Sequence, residues 1–249
     1  NWTFGVFATV GEFDITVDYF DIDVEDRLNL SSEVELTDAD VADLIAEGVP
    51  GAGDLRRFRF FTNDFDTNTS GLDGVISTTT ESSMGTTMWN LAYNSTKTEV
   101  TDYNAATIDA QRIKQIEDTT PETRWNLSAN HMMDAWRVLA RVSFYDEWFD
   151  QFECDVFSSG CSAEVTANPG AYTFDSEFVV DLEVEYDFSE NSSLLIGANN
   201  VFDNNGQKAA DMHGLGFNTA SAAVGNTYST FAPMGFSGAF YYANYRYNF

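Results

Sequence analysis

The side chains best suited to chemistry in this chain are carboxylates. Between Phe178 and Phe188, Asp181, Glu183, Glu185 and Asp187 recur at every second position. A catalytic pair needs one carboxyl moved from its ordinary pKa by surroundings its neighbour does not share. A uniform row facing water gives every member the same surroundings, so it reads as a solvated face. Arg137 and Arg141 face inward on the strand before and can meet the acids, with Arg141 set against Glu183 or Asp181 to offset like-charge repulsion. No Gly-x-Ser-x-Gly motif occurs, and neither histidine, His131 near a tight turn or His213 in a long polar loop, has a believable Ser or Cys partner. Asp64, Asp66 and Asp73 offer oxygens to a hard cation, but their spacing matches no calcium loop. No catalytic residue, metal or cofactor is therefore expected, and the chain does not read as an enzyme. Tyr145, Trp148, Phe149 and Phe152 form an aromatic cluster that can stack on sugar rings or planar chelates. The same cluster also fits an interfacial aromatic belt. Cys154 and Cys161 flank DVFSSG, which reads as a small disulfide loop made in an oxidising compartment, the alternative being two free thiols.

Composition narrows the partners. Against 40 acidic residues stand 12 Lys and Arg, for a net charge of -28. Nothing here would neutralise phosphates, so nucleic acid is excluded as a partner. Docking on an anionic membrane surface is disfavoured for the same reason. Aromatic residues make up 15% of the chain, which argues against disorder. No run of about 18 apolar residues exists, so no transmembrane helix is expected. The chain opens inside a strand pattern at NWTFGVFATV, and its start is expected to lie upstream.

The elements that must position these residues are strands. Period-two alternation places Trp2, Phe4, Val6, Ala8 and Val10 on one face, and Phe13, Ile15, Val17 and Tyr19 on one face after a tight turn at Gly11-Glu12. The register then slips, because Ile22 and Val24 alternate with acids, and a bulge near Tyr19-Phe20 would explain it. Thr37 or Asp38 caps a short helix in LTDADVADLIAEGVPG, which Gly48 and Pro50 end. A third strand is expected from near Phe58 to Thr79, a fourth from Thr87 to Thr96, then a polar loop. A fifth carries Trp125, Leu127 and Ala129, and a sixth Val138, Ala140, Val142 and Phe144. The seventh sets Phe178, Val180, Leu182, Val184, Tyr186 and Phe188 opposite the carboxylate row. LLIGANNVFD follows as the eighth, and a terminal strand runs from Ser237, its last aromatics Tyr245, Tyr247 and Phe249 on one face. The reading is all-β, about nine antiparallel strands in which tight turns alternate with long loops. Such a pattern marks a transmembrane β-barrel with short periplasmic turns and long extracellular loops. A soluble carbohydrate-binding β-sandwich stays open, because two sheets could bury the same apolar faces against each other.

Four stretches, FDITVDYFDIDVEDRL, FFTNDFDTNTSGLD, VVDLEVEYDFSENSSLLIGANNVFD and YSTFAPMGFSGAFYYANYRYNF, occur here in the order in which TonB-dependent outer-membrane receptors carry similar ones. The chain resembles the C-terminal part of that family's β-barrel. The resemblance implies that residues 1–249 are barrel, with the plug domain, the TonB box and the remaining strands of a 22-stranded wall absent from this chain. It implies a place in the bacterial outer membrane and active import of a scarce nutrient, with an oligosaccharide favoured because an acidic lumen repels anionic ferric siderophores. Siderophore or metal-chelate uptake and a passive porin-like channel are the alternatives. Implied partners are outer-membrane lipid, the plug and other strands, the TonB complex, a small-molecule substrate, and the barrel-assembly machinery. That machinery would read Tyr245, Tyr247 and Phe249, although Asn244 stands where such signals often carry glycine. Asp181, Glu183, Glu185, Asp187, Arg137 and Arg141 would face the lumen, and Tyr145, Trp148, Phe149 and Phe152 would contact cargo near the outer end.

Overall fold

A computed structural model describes residues 1–32, 34–149, 173–208, 228–229, 231–235 and 237–249. Alternating apolar and polar side chains give nine strands. They are β1 (Trp2–Val10), β2 (Phe13–Val24), β3 (Phe65–Ser82), β4 (Gly85–Tyr103), β5 (Thr123–Met133), β6 (Trp136–Tyr145), β7 (Glu177–Ser189), β8 (Ser192–Asn199) and β9 (Phe240–Tyr247). They form one sheet in chain order, each antiparallel to its neighbours. Tight turns at residues 11–12, 83–84, 134–135 and 190–191 all fall at one end of the sheet. The long connections of residues 25–64, 104–122, 146–176 and 200–239 all start and finish at the other. With eight antiparallel steps between them, β1 and β9 run in the same direction, from the loop end to the turn end. The wall is open, with β1 and β9 as its edges.

Register puts every expected apolar face on one side. Across β4 to β9 the rows read Leu91–Leu127–Val142–Val180 and Val138–Val184–Ile196–Ala243. These side chains are uncovered: Phe4 is 65% exposed, Ile196 58% and Tyr245 63%. A sandwich would bury this face under a second sheet, and among the described residues none lies over it. Aromatic rings edge the band. Near the loops, Trp2 packs on Tyr19 at 4.9 Å between centroids, and Phe144 on Trp125 at 5.6 Å and on Phe178 at 4.9 Å. Near the turns, Trp136 meets Tyr186 at 4.5 Å, and Tyr247 meets Phe249 at 5.1 Å. Trp136 to Phe144 spans about 26 Å along a strand, or about 20 Å once tilted by about 40°. That is close to the roughly 25 Å apolar height of an outer-membrane barrel.

Three expectations change. The bulge near Tyr19-Phe20 is not there: β2 keeps unbroken register with β1 and β3. The polarity reverses because the strand outgrows the apolar band. Above it, outward-facing Asp21 and Asp23 accept hydrogen bonds from Asn68 Nδ2 at 3.0 and 2.9 Å. The strand expected from Phe58 starts at Phe65. Arg57–Phe58 and Phe61–Thr62 pair instead with Val34–Glu35 and Asn29–Leu30 inside the first long loop. The polar stretch after Thr96 continues as strand to Tyr103 and then holds a helix. With the expected loop helix this makes two α-helices among the described residues, α1 (Asp38–Ala46) and α2 (Ala110–Asp118). Thr37 and Asp40 form a capping box on α1, while Asp109 caps α2 by accepting from the Arg112 N–H at 2.8 Å.

Candidate functional site

The inner face of the sheet is the polar one, and β5–β9 build it from ion pairs. Arg137 donates from Nε to Glu185 at 2.9 Å and from Nη2 to Glu183 at 3.3 Å. Arg141 lies opposite Asp181, with 3.6 Å between Nη1 and Oδ2. Tyr242 on β9 donates its hydroxyl to Glu183 at 2.5 Å, reaching across β8. It passes over Gly197, where a Cβ would sit 2.3 Å from the ring. Asp187 is exposed, opposite Ser193 on β8. Asp181, Glu183, Glu185, Asp187, Arg137 and Arg141 thus share one face of the sheet. Each pair is partly solvated, so each stabilises by about 1 kcal/mol or less.

The rest of the inner face differs in sign. β1–β4 contribute Asp14, Asp18, Asp73 and Glu81 to it and no basic residue. Asp18 stands directly opposite Asp73. Asp73 accepts from Asn94 Nδ2 at 2.7 Å, and Asn94 Oδ1 accepts from Arg124 Nε at 3.1 Å, linking the acidic half to the balanced one. Tyr145 lies beside them on the wall of a concavity of about 450 Å³. The partition of charge depends on which residues share a face, so alternation along β1–β4 could have found it.

At the loop end the connections hold one another. Thr107 donates to Asp64 at 2.8 Å, and the Ser32 N–H donates to Thr107 O at 2.9 Å. From α2, Arg112 donates to Leu30 O at 3.0 Å and to Asn29 Oδ1 at 2.5 Å. Hydrogen bonds from the Thr62 hydroxyl, then from Thr107, hold the Asp64 carboxyl below the usual carboxylate range. Bonds from Thr37 do the same for Asp40.

Trp148 and Phe149 are 1% and 0% exposed. They form a small core with Phe174, Ala232 and Met234, the Trp148 and Phe174 rings stacked at 5.1 Å. Lys114 of α2 lies 5.3 Å from the Phe149 ring centre. Neither ring has a face open to a stacking ligand, because each is packed as a loop core. Phe152, Cys154, Cys161 and His213 lie outside the described residues. His131 sits on the outer face near the turns. Its Nε2 donates to Met84 O at 3.1 Å, and its Nδ1 lies 2.8 Å from the Thr87 hydroxyl. Tyr245, Tyr247 and Phe249 lie at the turn end, where β9 finishes. Among the described residues no group of three metal-ligating side chains converges.

The family model described as TonB dependent receptor-like, beta-barrel matches residues 1–201. Among solved structures, the copper transporter OprC is similar at a TM-score of 0.56 and 12% identity, over 99% of this chain and 30% of that one. The FrpB iron transporter of Neisseria meningitidis is similar at 0.52 and 12%, over 81% of this chain and 26% of that one. The outer membrane transporter YddB of Escherichia coli is similar at 0.51 and 9%, over 81% and 28%. Identities this low establish the fold, and this chain spans between a quarter and a third of those three lengths. No curated protein matches the chain.

Proposed function

The chain belongs to the TonB-dependent receptor β-barrel family of the outer membrane, and from that premise we propose that residues 1–249 are the C-terminal part of an active importer's barrel. The observation that carries this reading is the division of one sheet into an aromatic-edged apolar face and an ion-paired polar face, with every long loop at one end. The apolar face contacts outer-membrane lipid, and the polar face lines the lumen. The rest of the receptor supplies the remaining strands, the plug and the contact with TonB. Tyr245, Tyr247 and Phe249 serve as the signal to the barrel-assembly machinery.

For cargo we favour a neutral oligosaccharide. The inner wall of β1–β4 carries only negative charge, which opposes an anionic ferric chelate. The same carboxylates favour a second reading, uptake of a metal cation, as the similar copper and iron transporters above carry out. The full-length receptor, expressed in cells lacking competing uptake systems, tests both. Labelled neutral trisaccharides are expected to accumulate only in cells with intact TonB and an energised inner membrane. Accumulation that persists without TonB would reassign the chain to a passive pore. TonB-dependent uptake of copper or iron, with none of saccharides, would establish the second reading.

A further inference from the structure

Two rows of side chains cross the inner wall from β3 to β6. One runs Asp73–Asn94–Arg124–Tyr145, and the next row toward the turns runs Val75–Ala92–Asn126–Ser143. Together they line the concavity of about 450 Å³. Three inter-strand spacings make it about 14 Å long. Its arginine is held differently from Arg137 and Arg141, which pair with Glu183, Glu185 and Asp181. In a chain with 40 acidic residues, Arg124 pairs with no carboxylate among the described ones. It donates from Nε to the neutral Asn94 at 3.1 Å, and Asn94 is fixed in turn by Asp73 at 2.7 Å. That relay pins one edge of the guanidinium and leaves both Nη groups to an acceptor from outside the sheet. Directly opposite Arg124 stands Tyr145. Its hydroxyl, like the side chains of Asn126 and Ser143, holds no hydrogen bond among the described residues.

We propose that this groove binds a neutral oligosaccharide of two or more rings, one held by Arg124 and Tyr145 and another by Asp73. Charge selects the class. An anion suited to Arg124 would meet Asp73 and the acidic wall of β1–β4 beside it, and a cation suited to Asp73 would meet Arg124. Hydroxyls donate to Asp73, accept from Arg124, and do either with Tyr145, Asn126 and Ser143. Between the polar groups, Val75 and Ala92 give ring carbons an apolar strip. Tyr145 is thus the member of the expected aromatic cluster that this geometry assigns to cargo. The assignment rests on the oligosaccharide reading above and deepens it.

The test is binding to the full-length receptor in detergent, without TonB or membrane energy, so that it stands apart from transport. The probes are maltotriose, cellotriose, xylotriose and mannotriose, with trigalacturonate and the trimer of glucosamine as anionic and cationic analogues. At least one neutral trisaccharide is expected to bind more tightly than either charged analogue. Arg124→Met is expected to weaken it about tenfold or more, and Tyr145→Phe roughly threefold. Lys97→Met, which removes the same charge from the outer face of β4, is expected to leave it unchanged. Asn94→Ala is expected to weaken binding on its own and to change nothing further in Arg124→Met, a pattern that general loosening of the wall would not give. Failure of all four neutral saccharides, tighter binding of a charged analogue, or an equal loss in Lys97→Met would overturn the assignment. TonB-dependent saccharide uptake with unchanged affinity in both Arg124→Met and Tyr145→Phe would overturn the groove while leaving the transport reading intact.

Discussion

Two glycines on the inner wall look alike and are held by different neighbours. At Gly197 the three atoms nearest to where a Cβ would go all belong to the Tyr242 side chain, which can swing away. At Gly71 the Cβ would meet both the Phe20 ring, at 2.5 Å, and the backbone oxygen of Ser95, at 2.4 Å. Gly197→Ala is therefore expected to cost about 1 kcal/mol, chiefly the lost Tyr242–Glu183 bond, and to become neutral in a Tyr242→Ala background. Gly71→Ala is expected to cost about 1–3 kcal/mol, and Phe20→Ala should not restore it, because the backbone stays. Urea titration of the receptor refolded into vesicles would separate the two, and rescue of Gly71→Ala by Phe20→Ala would contradict the account. Asp64 makes a prediction in pH. Its lowered pKa means that its ties to Thr62 and Thr107 stabilise the loops above the unfolded carboxylate value, about 3.9, and fade as pH falls through the lower folded value. The carboxyl carbon of Asp64, followed by NMR, should titrate below that value, and Thr107→Val should move its midpoint upward. A midpoint unmoved by that substitution would remove Thr107 from the tie. The arginine–carboxylate pairs were readable from alternation alone, since Arg141 and Asp181 sit opposite once the faces are set. The Tyr242–Glu183 bond was not, because it depends on a side chain missing from the strand between them.

Among the elements, the strands were the most legible, because one apolar and one polar face leave a single workable register. α1 was legible through its Thr37 or Asp38 cap and its Gly48 and Pro50 stop, and the structure shows Thr37 as the cap. α2 was not: its apolar residues are few, and the clue was Asp109 ahead of AQRIKQIED, a cap followed by good helix formers. The polarity reversal in β2 resembled a bulge because both place acids where apolar residues had been. Only the height of the band distinguishes them, and height needs the neighbouring strands. The two faces of the sheet predict unequal costs for a change of charge. Val184→Arg, in the middle of the apolar face, is expected to destabilise the folded receptor by about 2–4 kcal/mol. Arg137→Ala, on the inner face, is expected to cost about 1 kcal/mol, because Glu183 and Glu185 keep partial access to water. Equal costs in the same refolding assay would mean that the faces have been assigned wrongly.

For the molecule as a whole, charge and shape divide along the same line. On the inner face β5–β9 nearly balance their own charges, four arginines against five acids, while β1–β4 present acid alone. Alternation does not govern the loops, and there two of the four expected stacking residues, Trp148 and Phe149, are packed into a core. The parallel course of β1 and β9 carries a further consequence, one of counting. Every step between antiparallel neighbours reverses direction, so a closed ring of such strands must hold an even number. Nine is odd, and joining the two edges directly would set like directions side by side. A second copy of the sheet fails for the same reason, since each junction would again join a β1 to a β9. Only a complement with an odd number of strands, its two outermost strands both rising toward the loops, completes an antiparallel ring around this wall.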